Sequence, residues 1–146
     1  MAQQSSETKK TITRTLSTTK ESVFSIHNGT GRPLTLLRGI PFEDIKNKIL
    51  GTRYELSIAF LKPSEIRSLN TRHRGKNAST DVLSFGLSAR LGQLCFCIPD
   101  IERKAPLFKL SSKEYLAYLT IHGMLHLKGN DHGTPMEQKE DRLCRA

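Results

Sequence analysis

The 146-residue chain has no tryptophan and only three cysteines, and it contains no internal repeat. No run of about eighteen apolar residues occurs, so a membrane-spanning helix is not expected. The first residues hold no short apolar core followed by a small-residue cleavage site, so a secretory signal is not expected either. Cys95, Cys97 and Cys144 are odd in number. Cys95 and Cys97 stand too close in one predicted strand to pair with each other, which points to a reducing cytoplasm. Acidic residues are scarce: 14 Asp and Glu face 23 Lys and Arg, a formal charge of +9. That balance favours polyanionic partners, nucleic acid among them. The length fits one domain whose core needs no staples.

Residues 1–21 are rich in Ser, Thr and Lys and lack periodic apolar residues, and are expected to form a flexible basic leader. The domain is expected over 22–146. "VFSIHN" and "LTLL" predict short strands. "IPFEDIKNKILG" predicts a helix, with Pro41 in its first turn, an apolar stripe of Phe42, Ile45, Ile49 and Leu50, and Gly51 at its end. "YELSIAFL" predicts a strand, and Pro63 opens a short helix through Ile66 and Leu69. "DVLSFG" and "LCFCI" predict two further strands, joined by the polar connection "LSARLGQ". A long helix starts at "SSKE", where Ser111 and Glu114 can form a reciprocal capping box, and stops at Gly129. Thr134 caps a final short helix toward Leu143. The order predicts an α+β single domain: a small mixed sheet flanked by helices, with a metal-binding C-terminal helix and turn.

"HGMLHLKGNDH" at 122–132 places three of the five histidines in eleven residues. On a helix, His122 and His126 lie about 40° apart in rotation and about 6 Å in rise, so both imidazoles can reach one ion. His132 follows Gly129, on the segment that must turn back. Three imidazoles with a vacant fourth position make the pattern of a catalytic Zn2+ site, although other divalent metals accept the same donors. A pair of histidines at this spacing is also compatible with plain packing; the third histidine beyond the glycine favours metal. Zinc peptidases carry Glu beside the first histidine as general base, whereas position 123 here is Gly. Asp131 can orient a ring or serve the turn.

Between Lys62 and Lys76 stand five basic residues, Lys62, Arg67, Arg72, Arg74 and Lys76, against Glu65 alone. Such a stretch suits either a solvated helix face or a track for phosphates. Asp81 can cap its strand or orient a site group. Cys95 and Cys97, Tyr115 and Tyr118 read as packing residues.

"HGMLHLKGNDH" resembles the HGxLHLxGYDH signature of the YbeY family of bacterial endoribonucleases, and "LNTRHRGKNASTDVLSFG" at 69–86 resembles that family's LN, YRGKD and TDVLSFP elements. With "LGQLCFCIPDI", the resemblance covers about residues 22–146. It implies a mixed sheet with helices on its faces. It also implies a zinc-dependent, single-strand-specific endoribonuclease, acting in rRNA processing at the 3′ end of 16S rRNA and in ribosome quality control. The implied partners are RNA, rRNA and ribosomal particles, and the implied setting is the cytoplasm. By the same resemblance His122, His126 and His132 are the metal ligands and Arg74 is the functional arginine. The chain departs from the pattern at His73 and Asn130 for Tyr, Gly86 for Pro and Gln93 for Asp. Two other readings share the histidine site: a metal-dependent hydrolase of peptides or small molecules, and a noncatalytic ribosome-binding metalloprotein.

Overall fold

The computed structural model describes residues 23–129. The expected leader, the segment holding Asn130, Asp131 and His132, and the helix expected from Thr134 lie outside the described residues. Four strands form one sheet: β1 (Phe24–Asn28), β2 (Glu55–Phe60), β3 (Val82–Ser88) and β4 (Leu91–Phe96), in the order β1-β2-β4-β3. β1 and β4 each run parallel to β2, and β3 runs antiparallel to β4. Helices α1 (Phe42–Ile49), α2 (Pro63–Arg74), α3 (Ile98–Lys104) and α4 (Ser112–Gly129) flank this mixed sheet. The expected single-domain α+β architecture is present.

β2 and β4 are internal, which is why both read as nearly continuous apolar runs. The two-residue alternation of a strand then sorts their side chains into two cores. Leu56, Ile58, Phe60, Leu94 and Phe96 pack with Phe42 and Ile49 of α1, Ile101 of α3, and Leu116, Leu119 and Met124 of α4. Ala59, Leu83 and Cys95 point to the other face and meet Ile66 of α2, with Leu69 and Phe85 alongside. The sheet therefore separates α2 from α4.

Local signals place the helix ends. The amide of Glu114 donates to Ser111 Oγ at 3.0 Å, and the amide of Ser111 donates to a Glu114 carboxylate oxygen at 2.9 Å, completing the capping box that starts α4. In α1 Phe42 and Ile49 of the expected stripe are buried and Ile45 and Leu50 half-buried against the core, and Lys46 is buried on the same helix. Its Nζ donates to the Thr52 carbonyl at 3.1 Å and to Asn47 Oδ1 at 3.2 Å. Burial lowers the Lys46 pKa, with Glu43 opposing.

Four expectations are corrected. "LTLL" is a 3-10 turn over Thr35–Leu37, not a strand. β2 already has β1 and β4 at its two edges, so Leu34, Leu36 and Leu37 pack individually onto the larger core. The "LSARLGQ" connection shrinks to Ala89 and Arg90, because β3 runs to Ser88 and β4 starts at Leu91, with a register shift between Gly86 and Ser88. Antiparallel ladder bonding overrides the polar composition there. "IPDIERK" forms α3, too short for an apolar period to show, and α2 continues past Leu69 to Arg74.

Candidate active site

The position of α4 on the sheet decides where its histidines point. Gly123 lies so close to β4 that a Cβ built there meets Leu94 Cδ2 at 2.7 Å. A glutamate in the zinc-peptidase position is thus excluded by packing. At its start α4 is tied to the residue before β3: Tyr115 Oη donates to Asp81 Oδ2 at 2.6 Å. Near its end Leu127 closes on Gly86, whose added Cβ would stand 4.0 Å from Leu127 Cδ2. α4 therefore follows the edge strand β3. Residues seven and eleven positions beyond Tyr115 return to within about 20° of its line, so His122 and His126 also face the β3 side. Their rises of about 10 and 16 Å bring them level with Ser84 and Gly86, at about 3.3 Å per strand residue.

The two rings converge. Their Nε2 atoms are 2.9 Å apart, and the ring centroids are 4.4 Å apart with planes at 67°. That separation is within hydrogen-bond range, with one ring nitrogen donating and the other accepting. Tetrahedral zinc bonded at about 2.0–2.1 Å separates two ligand nitrogens by about 3.3 Å, so the spacing of this pair is near what a shared ion would need. Both side chains are half-buried. Among the described residues, no third His, Cys, Asp or Glu completes a metal-holding group with them; the third expected ligand, His132, lies outside the described residues.

Arg74 is the last residue of α2, on the opposite face of the sheet. Gly75 follows in the left-handed region (φ 69°), which a side-chain-bearing residue adopts only at a cost, and its amide closes the helix on the Asn70 and Thr71 carbonyls. The His73 ring lies against Phe85 of β3, with centroids 4.8 Å apart, so this end of α2 also sits at the edge strand. The structure brings His122 and His126 together, and the helix that ends at Arg74 meets the same strand from its other face through His73. Lys62, Arg67, Arg72, Arg74 and Lys76 are all exposed, and Arg67 Nε donates to Asn77 Oδ1 at 2.8 Å. His73 keeps an aromatic ring where the family pattern has Tyr. Gln93 pairs with Phe85 across the β3–β4 ladder and so faces α2, away from the histidine pair.

The Asp81 network was only half legible. Its carboxylate is buried, accepts from Tyr115 and Thr80, and faces Lys104 Nζ at 3.5 Å. Burial, reinforced by the bond to Asp81, holds the Tyr115 phenol above its usual range. The contact joins β3, α3 and the histidine-bearing helix. Lys104 was missed because α3 was missed; the seven-residue spacing of Tyr115 and His122 was the available signal. Cys95 and Cys97 pack in the α2 core as expected, and burial pushes the Cys95 thiol up to about 12. A cleft of about 700 Å³ opens between the end of α1, the β3–β4 turn and Leu127, and no histidine lines it.

No helix among the described residues is long and apolar enough to cross a membrane. The family model for endoribonuclease YbeY matches residues 39–143, a span that includes Arg74, His122, His126 and His132. An Endoribonuclease YbeY from Halalkalibacterium halodurans is 34% identical, the match covering 73% of this chain and 77% of that protein. One from Geobacillus kaustophilus is 36% identical over 62% of this chain and 72% of that protein. A solution structure of TM1509 from Thermotoga maritima matches with a TM-score of 0.54 at 25% identity, covering 83% of this chain and 87% of that one.

Proposed function

Because the chain belongs to the endoribonuclease YbeY family, we propose that residues 22–146 act as a zinc-dependent, single-strand-specific endoribonuclease on RNA. The proposed setting is cytoplasmic rRNA processing, at the 3′ end of 16S rRNA, together with ribosome quality control on ribosomal particles. The observation that carries this reading is the convergence of the His122 and His126 Nε2 atoms at 2.9 Å within the family match. His122, His126 and His132 hold the metal, for which Zn2+ suits the imidazole donors and another divalent ion is the alternative. When bound, the metal supplies Lewis acidity and water acidified to near neutral pH.

The chain's own residues do the rest. Contact between Gly123 and Leu94 sets the depth of α4, and the Tyr115–Asp81 bond sets its alignment with β3. The exposed cations of α2 bind phosphates without reading sequence, which makes affinity salt-sensitive. Arg74 pairs its planar donors with two oxygens of the scissile phosphate as negative charge grows there.

Elemental analysis of the purified protein, followed by incubation with single-stranded RNA, structured RNA and casein, tests the proposal with His126→Ala as control. Bound zinc and cleavage of single-stranded RNA, both lost in His126→Ala, are expected. Casein hydrolysis without RNA cleavage points to the peptidase alternative. Metal-dependent thermal stability with ribosomal-particle binding and no RNA cleavage points to the noncatalytic one.

A further inference from the structure

The histidine line of α4 begins well before the histidines. The rings of Phe108 and Tyr115 stack with centroids 5.3 Å and planes 17° apart; Tyr115 and Tyr118 follow at 6.2 Å and 9°, and Tyr118 and His122 at 6.1 Å and 19°. Core packing accounts for Tyr115, which is buried and bonded to Asp81. It does not account for Phe108, which is 60% exposed beside Leu107 at 77%. The Phe108 ring stacks on Tyr115, and more than half of the residue remains open to solvent. Lys109 follows directly, held with φ at 58°, and is exposed. Glu114, the acid in the first turn of α4, is engaged by the Ser111 amide.

We propose that Phe108 is a base-stacking platform for single-stranded RNA, seating one base of a strand whose scissile phosphate lies at the histidine pair. This rests on the RNA-cleaving reading above. Aromatic rings flanked by cations hold single strands with little sequence preference, since every base offers a π face while the cations meet the backbone. A duplex keeps its base faces stacked inside, so such a platform selects single strands. Tyr115 and His122 are about 10 Å apart along the helix, and the Phe108 ring lies 5.3 Å from that of Tyr115, so about three to five nucleotides at the 3.4 Å spacing of a stacked strand span the platform and the histidine pair. Lys109 beside the ring argues against an apolar protein segment as the occupant, since such a segment has no use for the cation.

The test uses the full metal-loaded chain and two oligonucleotides sharing one cleavage site, one extending past the Phe108 position and one stopping short of it. Phe108→Ala is expected to lower kcat/KM on the long strand about five- to tenfold, through KM, the low end of what one base stack contributes. The short strand is expected to be cut as by the unaltered protein. Phe108→Trp keeps the long-strand rate. An abasic nucleotide at the stacking position reproduces the loss in the unaltered protein and adds nothing in Phe108→Ala. Equal losses on both strands, no loss, or indifference to the abasic nucleotide overturns the platform. If Phe108→Ala fails to fold, the abasic comparison and Phe108→Trp decide. If the unaltered protein cuts no RNA, the ribonuclease reading fails. The platform is then judged by fluorescence anisotropy, where equal binding of the long strand by Phe108→Ala overturns it.

Discussion

Gly123→Ala is the most direct probe of how the histidine helix is seated. The new methyl lands 2.7 Å from Leu94 Cδ2, 3.4 Å from Cδ1 and 3.6 Å from Cγ. Carbon atoms settle at about 3.5–4.0 Å, so the closest contact is short by about 1 Å. Leu94 is fully buried between β2 and β3 and cannot retreat to solvent. Either α4 lifts or Leu94 leaves its rotamer, at about 1–3 kcal/mol. Alanine recovers about 1 kcal/mol of helix propensity, leaving a net loss of up to about 2 kcal/mol. Leu94→Ala alone is expected to cost about 2–5 kcal/mol by opening a cavity. In that background the added methyl meets space instead of carbon, so Gly123→Ala is expected to stabilise by about 1 kcal/mol. Urea unfolding of the four proteins in the cycle measures this reversal of sign, which does not depend on either absolute value. The same destabilisation in both backgrounds, or a stabilised single variant, refutes the close-approach argument.

Four further outcomes are expected. Cys95 keeps its proton in the folded chain up to about 12, against 9.0 without burial. Unfolding therefore releases a proton in that window, and stability falls as pH rises through it, by about 1.4 kcal/mol per pH unit, and is fully present below it. Urea midpoints at about pH 8 and about pH 10 should show a shallower decline in Cys95→Ala. Tyr115→Phe removes the donor to the buried Asp81 carboxylate and should cost about 1.5–3 kcal/mol in thermal or urea unfolding, while Lys104 remains at 3.5 Å. Ser111→Ala breaks the α4 capping box and should cost about 1 kcal/mol in urea unfolding. Arg74→Ala should lower RNA cleavage about a hundredfold with metal content and unfolding midpoint unchanged; undiminished cleavage removes Arg74 from the mechanism.

Local periodicity and punctuation made most elements readable. The alternation and apolar runs of β2 and β4, Pro63 at the start of α2 and the Ser111–Glu114 pair are interactions among residues a few positions apart. The spacing of His122 and His126 is of the same kind, because helical geometry alone brings the two rings onto one side. "LTLL" failed as a strand because its fate depended on whether a sheet edge was free beside it, a property of the strand order. α3 failed because seven residues carry too little period.

The sequence by itself determined the secondary structure that carries the chemistry, the family, and which side of α4 the two imidazoles share. Only the tertiary structure decided that α2 with Arg74 and α4 with its histidines lie on opposite faces of the sheet and meet at the same edge strand. It also decided that Asp81, Lys104 and Tyr115 form one buried contact and that Phe108 stands exposed at the end of a ring stack. The reason is physical: a helix or strand is shaped by neighbours within one or two turns, whereas a face is assigned only when distant segments compete to cover the same apolar surface.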